Sequence, residues 1–311
     1  MTRQRKILSF GVRKLMALSL LAFATGTTVF AEANWAPITL LASKQYDFTA
    51  KVNGTQYRIF ASIPSTPAPS EGYPVLYVLD GNAAFPIAAF IARGIESRHE
   101  VTGITPPIII GIGYPSAKDF DIEHRAKDYT PAATGQTIPY DHGGADAFFQ
   151  FIQTELKPLV ASQFAINPKK QAIFGHSFGG LFVSYACVTH PESFSTCLAS
   201  SPSLWWGDQQ LVKQLSAANF ASQTDLPSFQ ITVGALEDDL PKGSYPADVI
   251  AELKKRSMIL PAKAFAARLQ EISSQTDRVR FEVLEKEDHG FVWLPALSRG
   301  IEFFLMQASE K

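Results

Sequence analysis

The chain has 311 residues, 46% of them apolar and 18% charged, with 20 Gly and 20 Pro, which excludes collagen, coiled coil and wholesale disorder. Its formal charge is −1 and no polybasic stretch lies outside the extreme N-terminus, so nucleic acid is not an expected partner. The length fits one large or two small domains, and α/β domains often run past about 250 residues as one unit.

In chain order, the first feature is a basic opening of Arg3, Arg5, Lys6, Arg13 and Lys14, followed by an apolar run from Leu15 to Ala24. Val29-Phe30-Ala31 then places small residues where a signal peptidase needs them, and cleavage after Ala33 is the alternative. The run is shorter than the roughly 20 apolar residues that span a bilayer. Residues 1–31 therefore read as a signal peptide, with an uncleaved anchor as the other reading, and membrane contact is expected only through this segment. Cleavage leaves 23 basic against 29 acidic residues, a net charge of −6, on an exported, periplasmic chain.

From about residue 35 to 308 the chain reads as a single domain. Tyr46, Phe48, Ala50 and Val52 alternate with polar residues, as do Tyr57, Ile59, Ala61 and Ile63. Asn53-Gly54 between them suits a type I′ turn, so a β-hairpin is expected. Short apolar runs follow at Val75–Leu79, Ile108–Ile112, Ala172–Phe174, Thr196–Ala199, Phe229–Val233 and Val279–Leu284. Runs of this kind fit strands buried on both faces of a parallel sheet. Helical periodicity lies between them at Ala145–Val160, Leu181–Thr189, Ala247–Ile272 (with a break before Pro261) and Phe291–Met306. This alternation predicts an α/β class, a mostly parallel doubly wound sheet with the antiparallel N-terminal hairpin at its edge. The connection from Gly113 to Gly144 shows no clear secondary structure and is expected to form part of a lid. Cys187 and Cys197 sit in apolar contexts, and both a disulfide and two buried thiols fit.

The chemistry centres on Gly175-His176-Ser177-Phe178-Gly179-Gly180, between a strand and a helix. That is the setting of a nucleophile elbow, with Ser177 on a sharp turn where side chains at Gly175 and Gly179 would clash. The N–H of Phe178 and the helix behind it would stabilise an oxyanion. A serine hydroxyl needs a base, and His289, after the last strand, fits that place. His176 is expected to point away from the elbow, His190 to cap a helix, and His99, His124 and His142 to lie solvated in loops. The acid is expected on the loop after Phe229–Val233: Glu237 first, then Asp238, with a Ser–His dyad as the remaining option. The second oxyanion donor is expected from the backbone of Gly81 or Asn82. No dinucleotide fingerprint, phosphate loop or metal-ligand spacing is present, so neither cofactor nor metal is expected.

Together "YVLDGN" at 77–82, "RAKDYTP" at 125–131, "GHSFGG" at 175–180, "SPSLWW" at 201–206, Gly234–Glu237 and Asp288-His289-Gly290 resemble the putative-esterase branch of the α/β hydrolases. Within it the chain is most similar to exported, IroE-like siderophore esterases that act on enterobactin and salmochelin trilactones. The resemblance implies an α/β-hydrolase fold and hydrolysis of a trilactone or linear ester, with Ser177 as nucleophile and His289 as base and then acid. It implies an oxyanion site on Phe178 and the Gly81–Asn82 backbone. The partner would be a small-molecule ester, iron-bound or free. Catecholates are aromatic and, with iron, anionic, so Arg125, Trp205 and Trp206 are substrate-binding candidates, with Arg93, Arg98, Lys118 and Lys127 as further cations. Arg125 pairing with Asp128 or ordering its loop, and the tryptophans filling the core, are the structural alternatives. The competing functions are an esterase for feruloyl or acetyl sugars and a hydrolase-like protein that binds without turnover.

Overall fold

The computed structural model describes residues 36–134, 138–215, 226–238, 246–247, 249–251, 256–273 and 276–307. The segment expected to be a signal peptide, residues 1–31, lies outside the described residues, and the first part of the helix expected at Ala247–Ile272 lies only partly inside them.

Among the described residues eight strands form one sheet: β1 (Ser43–Thr49), β2 (Gln56–Ser62), β3 (Tyr73–Val78), β4 (Ile108–Gly113), β5 (Ile166–His176), β6 (Thr196–Ser200), β7 (Ser228–Gly234) and β8 (Val279–Leu284). Their order is β1-β2-β4-β3-β5-β6-β7-β8. The β1–β2 and β2–β4 pairs are antiparallel and all others parallel, so the hairpin sits at one edge of an otherwise parallel sheet. All positions of β3, β4, β6 and β7 are buried, which is why they read as unbroken apolar runs.

Helices cover both faces. α1 (Gly81–Glu96) and the C-terminal helix (Trp293–Met306) share one apolar cluster with Leu76, Val78 and Leu198. In α1 the buried side is Ala84, Phe85, Ala88, Ala89 and Ala92, a stripe at helical spacing. After α1 come α2 (His99–Thr102) and α3 (Ile122–Tyr129). The opposite face is covered by α4 (Ala145–Phe151), α5 (Lys157–Gln163), α6 (Phe178–Thr189), α7 (Trp206–Gln214) and α8 (Ile259–Ile272); the C-terminal helix is α9. Pro261 sits in the first turn of α8, where its missing N–H costs no helical bond, so the break precedes Ile259.

Four expectations are corrected. The hairpin forms, but not with a two-residue turn: Thr49 pairs with Gln56, and of the Asn53-Gly54 pair only Gly54 has positive φ (71°). The Glu155 carboxylate accepts the N–H groups of Lys51 and Val52 at 2.9–3.0 Å and holds a wider loop. The stretch Ala145–Gln163 is not a uniform helix, since a π turn at Ile152–Leu156 precedes Pro158. Proline removes an i→i−4 bond, and the wider turn absorbs the loss. The Gly113–Gly144 connection contains α3, capped by Asp121 through the His124 N–H. His124 is half-committed rather than merely solvated, with Nδ1 3.1 Å from the Asp121 carboxylate and its ring stacked on Tyr114 at 4.9 Å.

Cys187 on α6 and Cys197 on β6 are disulfide-bonded across a sequence separation of 10. Asp128 on α3 is buried and accepts the hydroxyls of Tyr57 (2.9 Å) and Tyr114 (3.0 Å), tying α3 to the sheet. Burial raises its pKa from 3.8 to about 6.

Two outcomes are expected. Replacing both cysteines by alanine lowers unfolding free energy by about 2–3 kcal/mol in a denaturant titration, from the unfolded chain's regained freedom. Because the Asp128 pKa is raised on folding, its contribution is present below about pH 4 and lost as pH rises through about 6. Asp128→Asn, which keeps an acceptor for both tyrosines, therefore flattens the stability profile over that window and is no less stable than wild type at pH 8.

Candidate active site

β5 ends at His176 and α6 begins at Phe178, leaving Ser177 between them at φ 59°, ψ −117°. A non-glycine residue is strained there and persists only when its surroundings fix it. Three backbone bonds do so: Ser177 N–H to Ser200 O (2.9 Å), Leu181 N–H to Ser177 O (2.9 Å) and Ser203 N–H to Ser177 O (3.1 Å). A Cβ at Gly175 would lie 2.3 Å from Gly179 O. The expected clash at Gly179 itself is corrected: a Cβ there meets nothing nearer than 3.5 Å. The second tight position is Gly180, whose Cβ would lie 2.7 Å from Ser200 O.

His289, on the turn between β8 and α9, turns its Nε2 toward Ser177 Oγ at 3.1 Å and its Nδ1 toward Glu237 Oε2 at 2.7 Å. Asp288 holds this turn by accepting the N–H groups of Gly290 (2.8 Å) and Phe291 (3.0 Å). The Leu236 N–H to Glu287 O bond (3.0 Å) joins the acid's loop to the histidine's loop. The other Glu237 oxygen accepts from Ser201 Oγ and from Gly234 N–H, both at 2.5 Å. The Glu237 side chain is 0% exposed and that of His289 43%, so the acid is sealed while the imidazole is open to a ligand and to water. Glu237 rather than Asp238 stands behind His289. Asp238 instead accepts Met258 N–H (2.8 Å), Ile259 N–H (3.4 Å) and Ser257 Oγ (3.0 Å), capping α8.

The next strand end repeats the strain. Asp80, after β3, is left-handed at φ 50° and heads α1, so the N–H groups of Gly81 and Asn82 lie in a first turn that offers no intrahelical acceptor. The Asn82 carboxamide accepts Tyr114 N–H at 3.0 Å and donates to Tyr114 O and Ser116 O at 3.1 Å. Arg125 grips Asp80 through Nε–Oδ1 (2.9 Å) and Nη2–Oδ2 (3.0 Å), and its Nη2 also donates to His176 O at 3.1 Å. This corrects two readings, since Arg125 pairs with Asp80 instead of Asp128, and it is buried rather than a surface cation. The guanidinium therefore clamps the Gly81–Asn82 loop onto the elbow, beside the Phe178 ring at 5.8 Å. Nothing local in the sequence marks this pair, because its members stand 45 residues apart.

His176 does not turn away. Its ring packs 4.7 Å from that of His289, with Nδ1 3.2 Å from Ser200 Oγ. Burial, reinforced by the neighbouring His289 and Arg125, pushes its pKa well below the imidazole range, so it stays neutral beside the His289 ring.

Trp206 is fully buried and donates Nε1–H to Pro131 O at 2.9 Å, so it is a core residue and not a ligand platform. Trp205 is partly exposed beside Phe178 (6.1 Å), with the Arg256 guanidinium 5.0 Å over its ring. Arg93 and Arg98 stand at the far end of α1 from Gly81, about 18 Å or more along a helix rising 1.5 Å per residue. Lys118 and Lys127 are exposed. Two residues that the sequence reading passed over are Ser201, which holds Glu237, and Ser203, whose Oγ lies 3.4 Å from Ser177 Oγ. Both stand in "SPSLWW", yet serine's abundance hides them.

Among the described residues no cluster of His, Cys, Asp and Glu is arranged to hold a metal ion. What the arrangement supplies is a hydroxyl, an acceptor nitrogen, an oriented carboxylate and backbone donors at two helix starts. These are the requirements of acyl transfer through a serine.

The profile of the putative esterase family matches residues 50–301. Ferri-bacillibactin esterase BesA of Bacillus subtilis is 36% identical over 257 residues, covering 80% of this chain and 84% of the relative. Siderophore enterobactin esterase of Emericella nidulans is 33% identical over 253 residues, covering 73% and 80%. The crystal structure of the BES protein from Bacillus cereus superposes with a TM-score of 0.74 at 32% identity, covering 88% of this chain and 99% of that one.

The carboxylate assignment makes an outcome that separates two neighbouring residues. Glu237→Ala lowers kcat on a p-nitrophenyl ester by about 100-fold or more. Asp238→Ala leaves kcat within a few fold and lowers stability by about 1 kcal/mol, the worth of a helix cap.

Proposed function

The chain belongs to the putative esterase family, an α/β-hydrolase family, and from that membership and the Glu237–His289–Ser177 line we propose that it hydrolyses siderophore esters through an acyl-enzyme on Ser177. The substrates proposed are catecholate trilactones of the enterobactin and salmochelin type and their linear esters. The observation that carries the mechanism is the placement of His289 Nε2 3.1 Å from Ser177 Oγ while Nδ1 lies 2.7 Å from Glu237. The substrate class rests on the two siderophore esterases, each more than 30% identical over most of their own length.

With Nδ1–H given to Glu237, Nε2 is the acceptor. As Ser177 Oγ attacks the ester carbonyl, its proton passes to Nε2 and the carbonyl oxygen takes the negative charge. That oxygen is received by the Phe178 N–H, with Gly81 or Asn82 as the second donor. Collapse of the intermediate expels the alcohol, which takes the proton from Nε2. Water then repeats the sequence on the acyl-enzyme, with His289 again base and then acid. Glu237 stabilises the imidazolium in both halves. Trp205, partly exposed beside the elbow, offers a face to an aromatic acyl group.

We place the reaction outside the cytoplasm. The basic opening and apolar run of residues 1–31 support export, and a Cys187–Cys197 disulfide is stable in an oxidising compartment.

A hydrolysis panel tests the reading. Purified protein is expected to cleave enterobactin with a kcat/KM at least about tenfold above that for feruloyl or acetyl sugars, and Ser177→Ala to lose activity by about 10⁴-fold or more while remaining folded. Preference for the sugar esters would move the protein to carbohydrate substrates, and absence of turnover on every ester would make it a binder.

A further inference from the structure

We propose that Ser203 is a further catalytic residue, whose hydroxyl donates a hydrogen bond to Ser177 Oγ and stabilises the charge that develops on that atom. The inference rests on the nucleophile and base assigned above and extends them by one residue.

Ser203 is 2% exposed, and its Oγ lies 3.4 Å from Ser177 Oγ. Distance alone leaves the donor open, but the surrounding bonds fix it. Glu237 accepts from Ser201 Oγ, Gly234 N–H and His289 Nδ1, and a carboxylate in that role only accepts. His289 Nδ1 is then the protonated nitrogen, and Nε2 carries the lone pair that faces Ser177. The Ser177 proton must point to Nε2, which leaves its oxygen's lone pairs toward Ser203. Ser203 is therefore the donor of that contact, and among the described residues its hydroxyl has no other hydrogen-bond partner. A buried hydroxyl without a partner is costly, so this group has one direction in which to spend its hydrogen.

The contact is longer than an ordinary O–H···O bond in the resting state. It has reason to shorten during reaction, because bonds to anionic oxygen are shorter and about twice as strong as neutral ones. In acylation the Ser177 proton moves to His289 Nε2, the Oγ–carbon bond forms, and the carbonyl π electrons move onto oxygen. Ser203 keeps its own proton throughout and only solvates Oγ while that atom is alkoxide-like. In deacylation the same Oγ leaves as the negative atom before regaining its proton from His289, so the donor serves both halves. Its backbone is fixed for the task, since Ser203 N–H donates to Ser177 O at 3.1 Å.

Stopped-flow kinetics of p-nitrophenyl acetate on Ser203→Ala and Ser203→Thr test this. Ser203→Ala is expected to slow acylation and lower kcat by about 100-fold, the low end of the effect of removing one donor to a developing oxyanion, with KM within about twofold. Ser203→Thr, which keeps a hydroxyl, is expected to recover most of the acylation rate. Wild-type acylation in Ser203→Ala overturns the proposal. So does an equal loss in both variants, which would assign Ser203 to packing. A wild-type enzyme with no Ser177-dependent acylation would instead remove the underlying mechanism, and the Ser177→Ala control distinguishes that case.

Discussion

The turn at Ser177 is the constraint on which the rest of the site depends. A serine at φ 59°, ψ −117° is not a conformation that a loop visits and keeps unaided. It is kept because both its N–H and its C=O are committed, to Ser200, Leu181 and Ser203, and because Gly175 and Gly180 let the strand and helix backbones close around it. The return is geometric. The side chain stands clear at the end of the sheet, and the next N–H, that of Phe178, opens a helix.

The strain is not confined to one residue. Asp80, Ser177 and Ser201 all have positive φ, and they follow β3, β5 and β6, three strands adjacent in the sheet. Each is fixed by side-chain chemistry as well as by backbone. Arg125 holds Asp80 and the carbonyl of His176 with one guanidinium, so the loop of Gly81 and Asn82 cannot drift from the elbow without breaking a buried ion pair. Ser201 holds Glu237, which in turn orients His289. Buried ion pairs contribute little net stability but are expensive to break singly. Here that asymmetry favours rigidity at the reacting centre, where a misplacement of an ångström costs orders of magnitude in rate.

How much of this was legible in the sequence follows a physical division. The parallel strands were legible because burial on both faces writes an unbroken apolar run. Ser177 and His289 were legible because strand, glycines and chain order all agree. The hairpin was legible but its turn was not, since Glu155, a hundred residues on, reshapes the loop. Helix α1 hid behind Gly, Pro and Ala, whose small stripe suits a close approach to β4: a Cβ at Gly81 would lie 2.8 Å from Ile112 N. Choices between equivalent neighbours needed three dimensions. Glu237 and Asp238 are both acids on one loop, and only packing sends one to His289 and the other to α8. Arg125–Asp80 and Cys187–Cys197 are contacts between elements, which no local pattern records. Trp206 looked like Trp205 in the sequence and differs only in burial.

The most direct measurement of the central claim is to locate the covalent adduct left by a fluorophosphonate on the native enzyme, by mass spectrometry of its peptides. A single adduct on Ser177, lost when His289 is replaced by alanine, is the predicted result. An adduct on another residue, or a chain left unmodified at saturating reagent, would contradict the account.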